Sequence, residues 1–145
     1  MSASRRFAVL AVVALTLIAA PLGTPANAAV ADHDLLVFAT GDQEVPGPGD
    51  ETGWAMVALD ITPETGRICH VLWYSGIGRP TELHVHAGDM GEKGDVVVSL
   101  RPTWVGCRTA DASVLEDILD DPSGHYVNVH NAAYPDGAVR GQLWG

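Results

Sequence analysis

The sequence predicts an all-β domain, a Greek-key β-sandwich or barrel of about seven or eight antiparallel strands with one short helix. Short runs rich in β-branched and aromatic residues recur along the chain, and Gly, Pro and Asp interrupt them. Within several runs, apolar positions alternate with polar ones, as they do in a strand that is buried on one face. The predicted strands are 33–40, 53–61, 67–74, 82–86, 95–100, 126–130 and 138–144.

Alternation also predicts which faces of two strands are buried. In the strand 67–74, Cys69 and Trp73 share a face, and we expect the Trp73 ring to be buried beside that cysteine. His70 then points away from the cysteine side. In the strand 53–61, one set of alternating apolar residues is expected to form the core face: Ala55, Val57, Leu59 and Ile61.

One short helix is predicted over residues 114–119. Ser113 is expected to cap its first turn, and Glu116 at the third helical position completes a capping box. Pro122 follows shortly after and prevents the helix from continuing.

Residues 1–28 are typical of a secretory signal peptide. Arg5 and Arg6 precede an apolar run over 7–20, and an Ala-Asn-Ala cleavage sequence follows at 26–28. The apolar run is shorter than the roughly 20 residues that a membrane-spanning helix needs. We therefore expect cleavage, no membrane span afterwards, and a secreted or cell-envelope protein whose mature part, 29–145, is a single domain.

The mature part is strongly acidic. The chain has 8 basic and 18 acidic side chains; the signal segment removes two arginines and no carboxylate, which leaves a net charge of −12. Such a charge repels phosphate backbones and anionic lipid surfaces. Nucleic acid and membrane surfaces are thus excluded as expected partners, and an extracellular protein or the cell envelope is favoured.

The mature part contains two cysteines, Cys69 and Cys107. An even pair in an exported protein favours a disulfide, which would stabilise the fold by roughly 4 kcal/mol through loop closure. The alternative is that the thiolates bind a soft metal. It is the weaker interpretation, because the two cysteines are far apart and neither belongs to a C-x-x-C pair.

Several segments resemble one known family. Cys69 lies within a strand, and four motifs accompany it in order: Gly-Asp-Gln-Glu-Val-Pro at 41–46, Leu-His-Val-His-Ala-Gly at 83–88, Tyr-Val-Asn-Val-His at 126–130 and Pro-Asp-Gly-Ala-Val-Arg-Gly-Gln-Leu at 135–143. In this order and spacing they resemble the CHRD domain, named after repeats in chordin and found alone in exported bacterial proteins. The resemblance spans 35–143 and implies an all-β extracellular module with no settled biochemical activity.

Three histidines carry the reactive chemistry that the sequence offers. His84 and His86 stand two residues apart on a strand and therefore project to one face, where His130 can join them from a neighbouring strand. Three imidazoles suit copper or zinc. Tyr126 and Asn128 share the face of His130 and can orient its ring.

The order of these residues is also similar to that in copper–zinc superoxide dismutases. The resemblance implies copper ligation by His84, His86 and His130, and a role for Arg140 as an anion guide in catalysis. The chain departs from that family because it has no evident bridging histidine and only a short connection between His86 and Asp95, without a zinc-binding loop. A site would therefore hold copper alone, with an open position.

Two hypotheses remain. In the first, the protein is an exported binding or structural module whose histidines are hydrogen-bonded fold residues; in the second, it is a copper-binding redox protein that acts on superoxide or sequesters copper. An enzyme is thus an open possibility. A calcium site formed by Asp89, Glu92 and Asp95 has less support, because its ligand pattern is incomplete. His33 and His125 are expected to be exposed.

Overall fold

A computed structural model describes residues 34–144. The predicted signal peptide, 1–28, and His33 lie outside the described residues. The elements are β1 (Asp34–Thr40), β2 (Trp54–Thr62), β3 (Arg67–Ser75), β4 (Pro80–Ala87), β5 (Val96–Leu100), β6 (Val105–Thr109), α1 (Ala112–Asp120), β7 (His125–Asn131) and β8 (Val139–Gln142), with three single 3₁₀ turns.

The eight strands form one antiparallel sheet in the order β5-β4-β7-β8-β1-β2-β3-β6. The sheet curls into a nearly closed barrel, in which β5 and β6 are the two edges. A cleft of about 550 Å³ separates β5 from the segment 108–114. After β3 the chain crosses to the other end of the strand order, where β4 and β5 lie, and then returns so that β6 pairs with β3. Connections of this kind, between strands that are not neighbours, are of the Greek-key type. The all-β fold predicted from the sequence is confirmed.

Alternate residues of the strands fill the barrel. In β2 the predicted core face is confirmed, because every second residue from Ala55 to Ile61 is almost fully buried. The helix α1 contributes Leu115 and Ile118 to the same core. Within residues 34–144, no helix is both long enough and apolar enough to cross a membrane.

The helix begins earlier than predicted. Asp111 is its N-cap residue, and the Asp111 carbonyl accepts hydrogen bonds from the backbone N–H groups of Val114 and Leu115. Ser113 therefore lies inside the first turn, and the predicted capping box with Glu116 is wrong. The reason is physical: aspartate is about as favourable as serine at an N-cap position, so local preference does not select Ser113 over Asp111.

β6 was not among the predicted strands. It is short, contains Gly106 and is mostly exposed, so it shows no alternation. Its register against β3 places Cys107 directly opposite Cys69, and the predicted disulfide joins the two. The prediction of this bond is thereby supported, and the bond fixes an edge strand to the sheet.

Two burial predictions are wrong. In β3 the core face consists of Ile68, His70 and Leu72, whereas Trp73 lies on the outer face with Cys69 and is partly exposed. The disulfide joins the outer surfaces of β3 and β6 and is not a core element. His125 is buried, because the turn Pro122–Gly124 brings the Asp121 carbonyl to 2.9 Å from its Nδ1.

The two faces of β3 give a test of this assignment. Leu72→Ala is expected to lower the free energy of unfolding by about 2–5 kcal/mol, because it opens a cavity in a fully buried position. Trp73→Ala should lower the free energy of unfolding by only about 1–2 kcal/mol, because the Trp73 ring, although larger than the Leu72 side chain, is only partly removed from water. Urea unfolding measures both changes. A larger loss for Trp73→Ala than for Leu72→Ala would contradict the assignment.

Candidate metal centre

The outward faces of β4, β7 and β8 form a buried polar layer. In an ordinary barrel this surface faces water, but every residue of β7 and of β8 is buried on both faces. The loops after β4 and before β8 fold over it, and their backbone carbonyls accept hydrogen bonds from side chains of the strands. The loop before β2 contributes the carboxylate of Glu44, which accepts a hydrogen bond from Asn128. The layer is therefore shielded from solvent while it remains polar.

The three predicted histidines meet in this layer. His84 and His86 project from the same face of β4, and β7 pairs with β4 so that His130 lies opposite Glu82. One nitrogen from each ring lies within 4.8 Å of the others. His84 Nδ1 and His130 Nε2 are 3.2 Å apart. Within residues 34–144, no other three His, Cys, Asp or Glu side chains converge in this way, and the loop carboxylates Asp89, Glu92 and Asp95 do not.

Each histidine also has a partner on its other ring nitrogen. His86 Nδ1 is 3.0 Å from the Gly94 carbonyl, and His130 Nδ1 is 3.0 Å from the Pro135 carbonyl. A carbonyl only accepts, so both Nδ1 atoms carry the proton and both Nε2 atoms carry a lone pair. His84 Nε2 lies 3.5 Å from the Glu82 carboxylate. Partners of this kind orient the rings of metal-ligating histidines.

These partners turn three ring nitrogens toward one point. His86 Nε2 is buried and has no hydrogen-bond partner. His84 Nδ1 donates to His130 Nε2 when no metal is bound, and its lone pair is free for a metal in the tautomer that carries the proton on Nε2, beside Glu82. With metal–nitrogen bonds of about 2.0–2.1 Å, a 3.2 Å separation of two nitrogens corresponds to an angle of about 103° at the metal. The spacing of His84 Nδ1 and His130 Nε2 therefore suits a cation with near-tetrahedral geometry, and His86, which offers a nitrogen within 4.8 Å of both, is the third candidate ligand.

Burial favours the neutral rings that metal binding requires. Desolvation lowers the pKa of His84, and the neighbouring His130 lowers it further, while Glu82 opposes the shift. Desolvation also lowers the pKa of His86, against the hydrogen bond to Gly94. A lowered pKa means that neither ring must release a proton at neutral pH before it binds a metal.

The loop that orients His86 depends on a glycine. A Cβ at Gly94 would lie 1.4 Å from the Ala87 carbonyl oxygen, so no side chain fits there. The Ala87 N–H bonds to the Asp95 carbonyl at 3.0 Å, which brings the loop back against the end of β4. The sequence pattern gave no signal for this contact, because it depends on how the loop 88–94 folds.

Arg140 lies in the same layer and is 2% exposed. Its guanidinium lies over the Tyr126 ring, with Cζ 3.5 Å from the ring centroid. It donates hydrogen bonds to the carbonyls of Glu92 and Asp89 and to Gln142 Oε1. The guanidinium is thus bound to protein groups on several sides, and its role as an anion guide stays a prediction.

Sequence reasoning did not identify Glu44 as part of the layer, although it lies in the Glu-Val-Pro motif. It is buried, and its Oε2 accepts a hydrogen bond of 3.1 Å from Asn128 Nδ2, while Oε1 has no partner. Burial raises the pKa of Glu44 to about 7, although Asn128 and the nearby Arg140 oppose the shift. The folded protein therefore favours the protonated carboxyl.

This shift predicts a dependence of stability on pH. Because the folded pKa lies above the unfolded one, the contribution of Glu44 is fully favourable below about pH 4.5 and is lost as pH rises through about 7. The loss is on the order of 3 kcal/mol. Relative to wild type, Glu44→Gln should gain unfolding free energy as pH rises from 4.5 to 8, measured with urea, because the histidines with lowered pKa contribute equally to both proteins. Glu64→Gln, at an exposed position, is the control; curves that run parallel to wild type for Glu44→Gln would contradict the assignment.

Comparison with known proteins gives one family. The model of the CHRD domain matches residues 37–143. Neither a curated protein nor a solved structure matched the chain significantly. The matched range includes the three histidines, the disulfide and Arg140. It also includes all eight strands, apart from the first residues of β1. The chain belongs to the CHRD domain family.

Proposed function

We propose that this CHRD domain is an exported copper-binding module. The observation that carries the proposal is the convergence of three imidazole nitrogens whose opposite ring nitrogens already have acceptors. An all-nitrogen set without thiolate suits copper or zinc, and copper(II) binds nitrogen ligands more tightly than zinc does. The signal sequence and the disulfide support export, since disulfides persist in oxidising compartments.

Three protein ligands leave room for exchange at the metal. His84 is the most exposed of the three, with 15% of its side chain accessible, so an entering ion or a fourth ligand would approach on its side. A copper ion held in this way supplies a reversible one-electron centre with an open position. The neighbouring Glu82 carboxylate is 58% exposed and attracts cations to the same place.

Charge favours copper sequestration over action on superoxide. Superoxide is an anion, whereas the mature chain carries a net charge of −12 and Glu82 lies beside His84. Arg140 donates its hydrogen bonds to loop carbonyls and Gln142. We therefore assign the centre the capture and holding of copper, and superoxide dismutation is the alternative that an activity assay distinguishes.

The test is copper titration of the mature protein purified from the exported fraction. Amino-terminal sequencing should begin at Ala29, and a start at Met1 would contradict export. Wild type is expected to bind one copper ion per chain, with the paramagnetic resonance spectrum of a nitrogen-ligated centre. His84→Ala should weaken binding by about 100-fold or more, because loss of a ligand exceeds the 10–100-fold effect of losing an outer partner.

His125→Gln is the matched control, because His125 is also buried on a strand but lies outside the trio. Its copper affinity should equal that of wild type. Equal binding by wild type and His84→Ala would contradict the proposal. A rate of superoxide decay that rises with bound copper and persists after unbound copper has been removed by gel filtration would assign the centre to superoxide instead.

The second candidate function is an interaction module, and the outer face of β1, β2 and β6 favours it. Leu36, Phe38 and Val105 are each about 60% exposed there, and the ring of Trp54 stacks on Phe38. Exposed apolar patches on soluble domains mark interaction sites. The partner that we propose is a second copy, because a two-fold axis would pair this face with an equally apolar one.

Sedimentation equilibrium tests this second candidate. Wild type should sediment as a dimer, and Phe38→Asp should be a monomer, because a buried unpaired carboxylate is strongly unfavourable. Met90→Asp changes an equally exposed apolar residue on the loop after β4, away from this face, and should leave the dimer intact. A wild-type protein that is monomeric at high concentration would contradict self-association.

A further inference from the structure

We infer that Arg140 is a positioning residue for the metal centre. It holds the loop 88–94 in the place where the carbonyl of Gly94 fixes the ring of His86. The inference rests on the proposed copper site and assigns Arg140 a role different from guiding an anion. It follows from three sets of contacts that join β8, the loop and β4.

The first contacts tie the loop to β8. The Arg140 guanidinium donates to two loop carbonyls, those of Asp89 and Glu92, which lie three residues apart. Gln142, two residues further along β8, donates to the Gly88 carbonyl at 2.8 Å. A guanidinium presents several N–H donors in a fixed planar fork, so it can hold two carbonyls at once.

The second contacts join the loop to the ligand. The Gly94 carbonyl accepts from His86 Nδ1 at 3.0 Å, and the Gly94 N–H donates to the Tyr126 hydroxyl at 3.2 Å. The orientation of His86 Nε2 toward the metal position therefore depends on where the loop places Gly94. A shift of the loop would remove the acceptor and let the ring rotate or change its tautomer.

The third contacts form a stack beside the ligand. β7 runs between β4 and β8, so Tyr126 lies between His86 and Arg140. The His86 and Tyr126 rings stack with centroids 4.7 Å apart and planes inclined by 9°. The guanidinium covers the Tyr126 ring at 3.5 Å. Arg140 thus restrains His86 by two routes, through the loop backbone and through the tyrosine ring.

The competing role as an anion guide requires a guanidinium that faces the open position of the metal. Arg140 is instead buried, and its donors meet Asp89, Glu92 and Gln142. The substitution Arg140→Lys distinguishes the two roles, because lysine could still guide an anion but could not hold the loop in place. Lysine keeps the positive charge, but its single ammonium lacks the planar fork that holds the two carbonyls.

The first measurement compares copper affinity and the paramagnetic resonance spectrum of wild type, Arg140→Lys and Arg140→Gln. We expect both variants to bind copper at least about 10-fold more weakly and to show altered copper hyperfine splitting, as for loss of an outer partner of a ligand. Arg101→Gln, at an exposed arginine, is the control and should match wild type. Wild-type affinity and spectrum in Arg140→Lys would overturn the inference.

The second measurement needs no metal. In the metal-free protein the His86 Nδ1–H, bonded to the Gly94 carbonyl, should give a slowly exchanging imidazole signal by NMR, and that signal should broaden or vanish in Arg140→Lys. If wild type fails to bind copper, the proposed function is wrong, while this signal still decides the role of Arg140. Its persistence in Arg140→Lys would contradict positioning.

A third variant covers the case in which the Arg140 variants do not fold. Tyr126→Phe keeps the ring stack but removes the hydroxyl that meets the Gly94 N–H, so it should alter the His86 signal in a folded protein. Circular dichroism and thermal unfolding identify the folded variants. If no Arg140 variant folds, an unchanged His86 signal in Tyr126→Phe would overturn the inference.

Discussion

The structure depends on one constraint: the polar groups on the outer faces of β7 and β8, together with His86 of β4, are buried, so protein atoms must replace the water that they lost. Leaving a buried polar group unpaired costs about 1–3 kcal/mol. Loop carbonyls meet part of this demand, as the carbonyls of Gly88 and Asp89 do for Gln142 and Arg140. The loops are thereby fixed by the strands, and the strands are shielded by the loops.

This constraint also explains where the layer remains incomplete. Four buried side-chain atoms among the described residues have no hydrogen-bond partner, and three of them belong to Glu44, Asn128 and His86 in this layer. A protein tolerates such atoms at sites whose chemistry uses them. Here a proton on Glu44 relieves the cost of its burial, and a cation at the histidines would satisfy His86 Nε2.

The sequence predicted the parts of the fold that follow from local patterns. Short runs of β-branched and aromatic residues indicated seven strands, alternation indicated the core face of β2, and the i, i+2 spacing of His84 and His86 placed both rings on one face. Pairing between distant strands explains the errors. β6 lacks alternation because it is an edge strand that Cys107 joins to β3. Trp73 is of a residue type common in cores, although it lies on the outer face of β3.

The candidate site was only partly predictable for the same reason. The ligand residues could be named from the sequence, since histidine at strand spacing carries a specific geometry. Their partners Gly94 and Pro135 contribute backbone carbonyls, which every residue has, so no residue type marks them. The hydrogen bonds from Arg140 to the loop likewise join residues that lie 48 and 51 positions apart in the chain.

The barrel is not closed between β5 and β6, so each of these strands has one unpaired edge, and the disulfide restrains the edge strand β6. An unpaired strand edge presents backbone donors and acceptors to other chains and is a template for aggregation. β6 has a paired neighbour on one side only, and the Cys69–Cys107 bond keeps it joined to β3. Under reducing conditions that covalent link opens, and the strand can peel away and recruit other chains. The same bond that stabilises the fold thus makes solubility sensitive to the redox state of the surroundings.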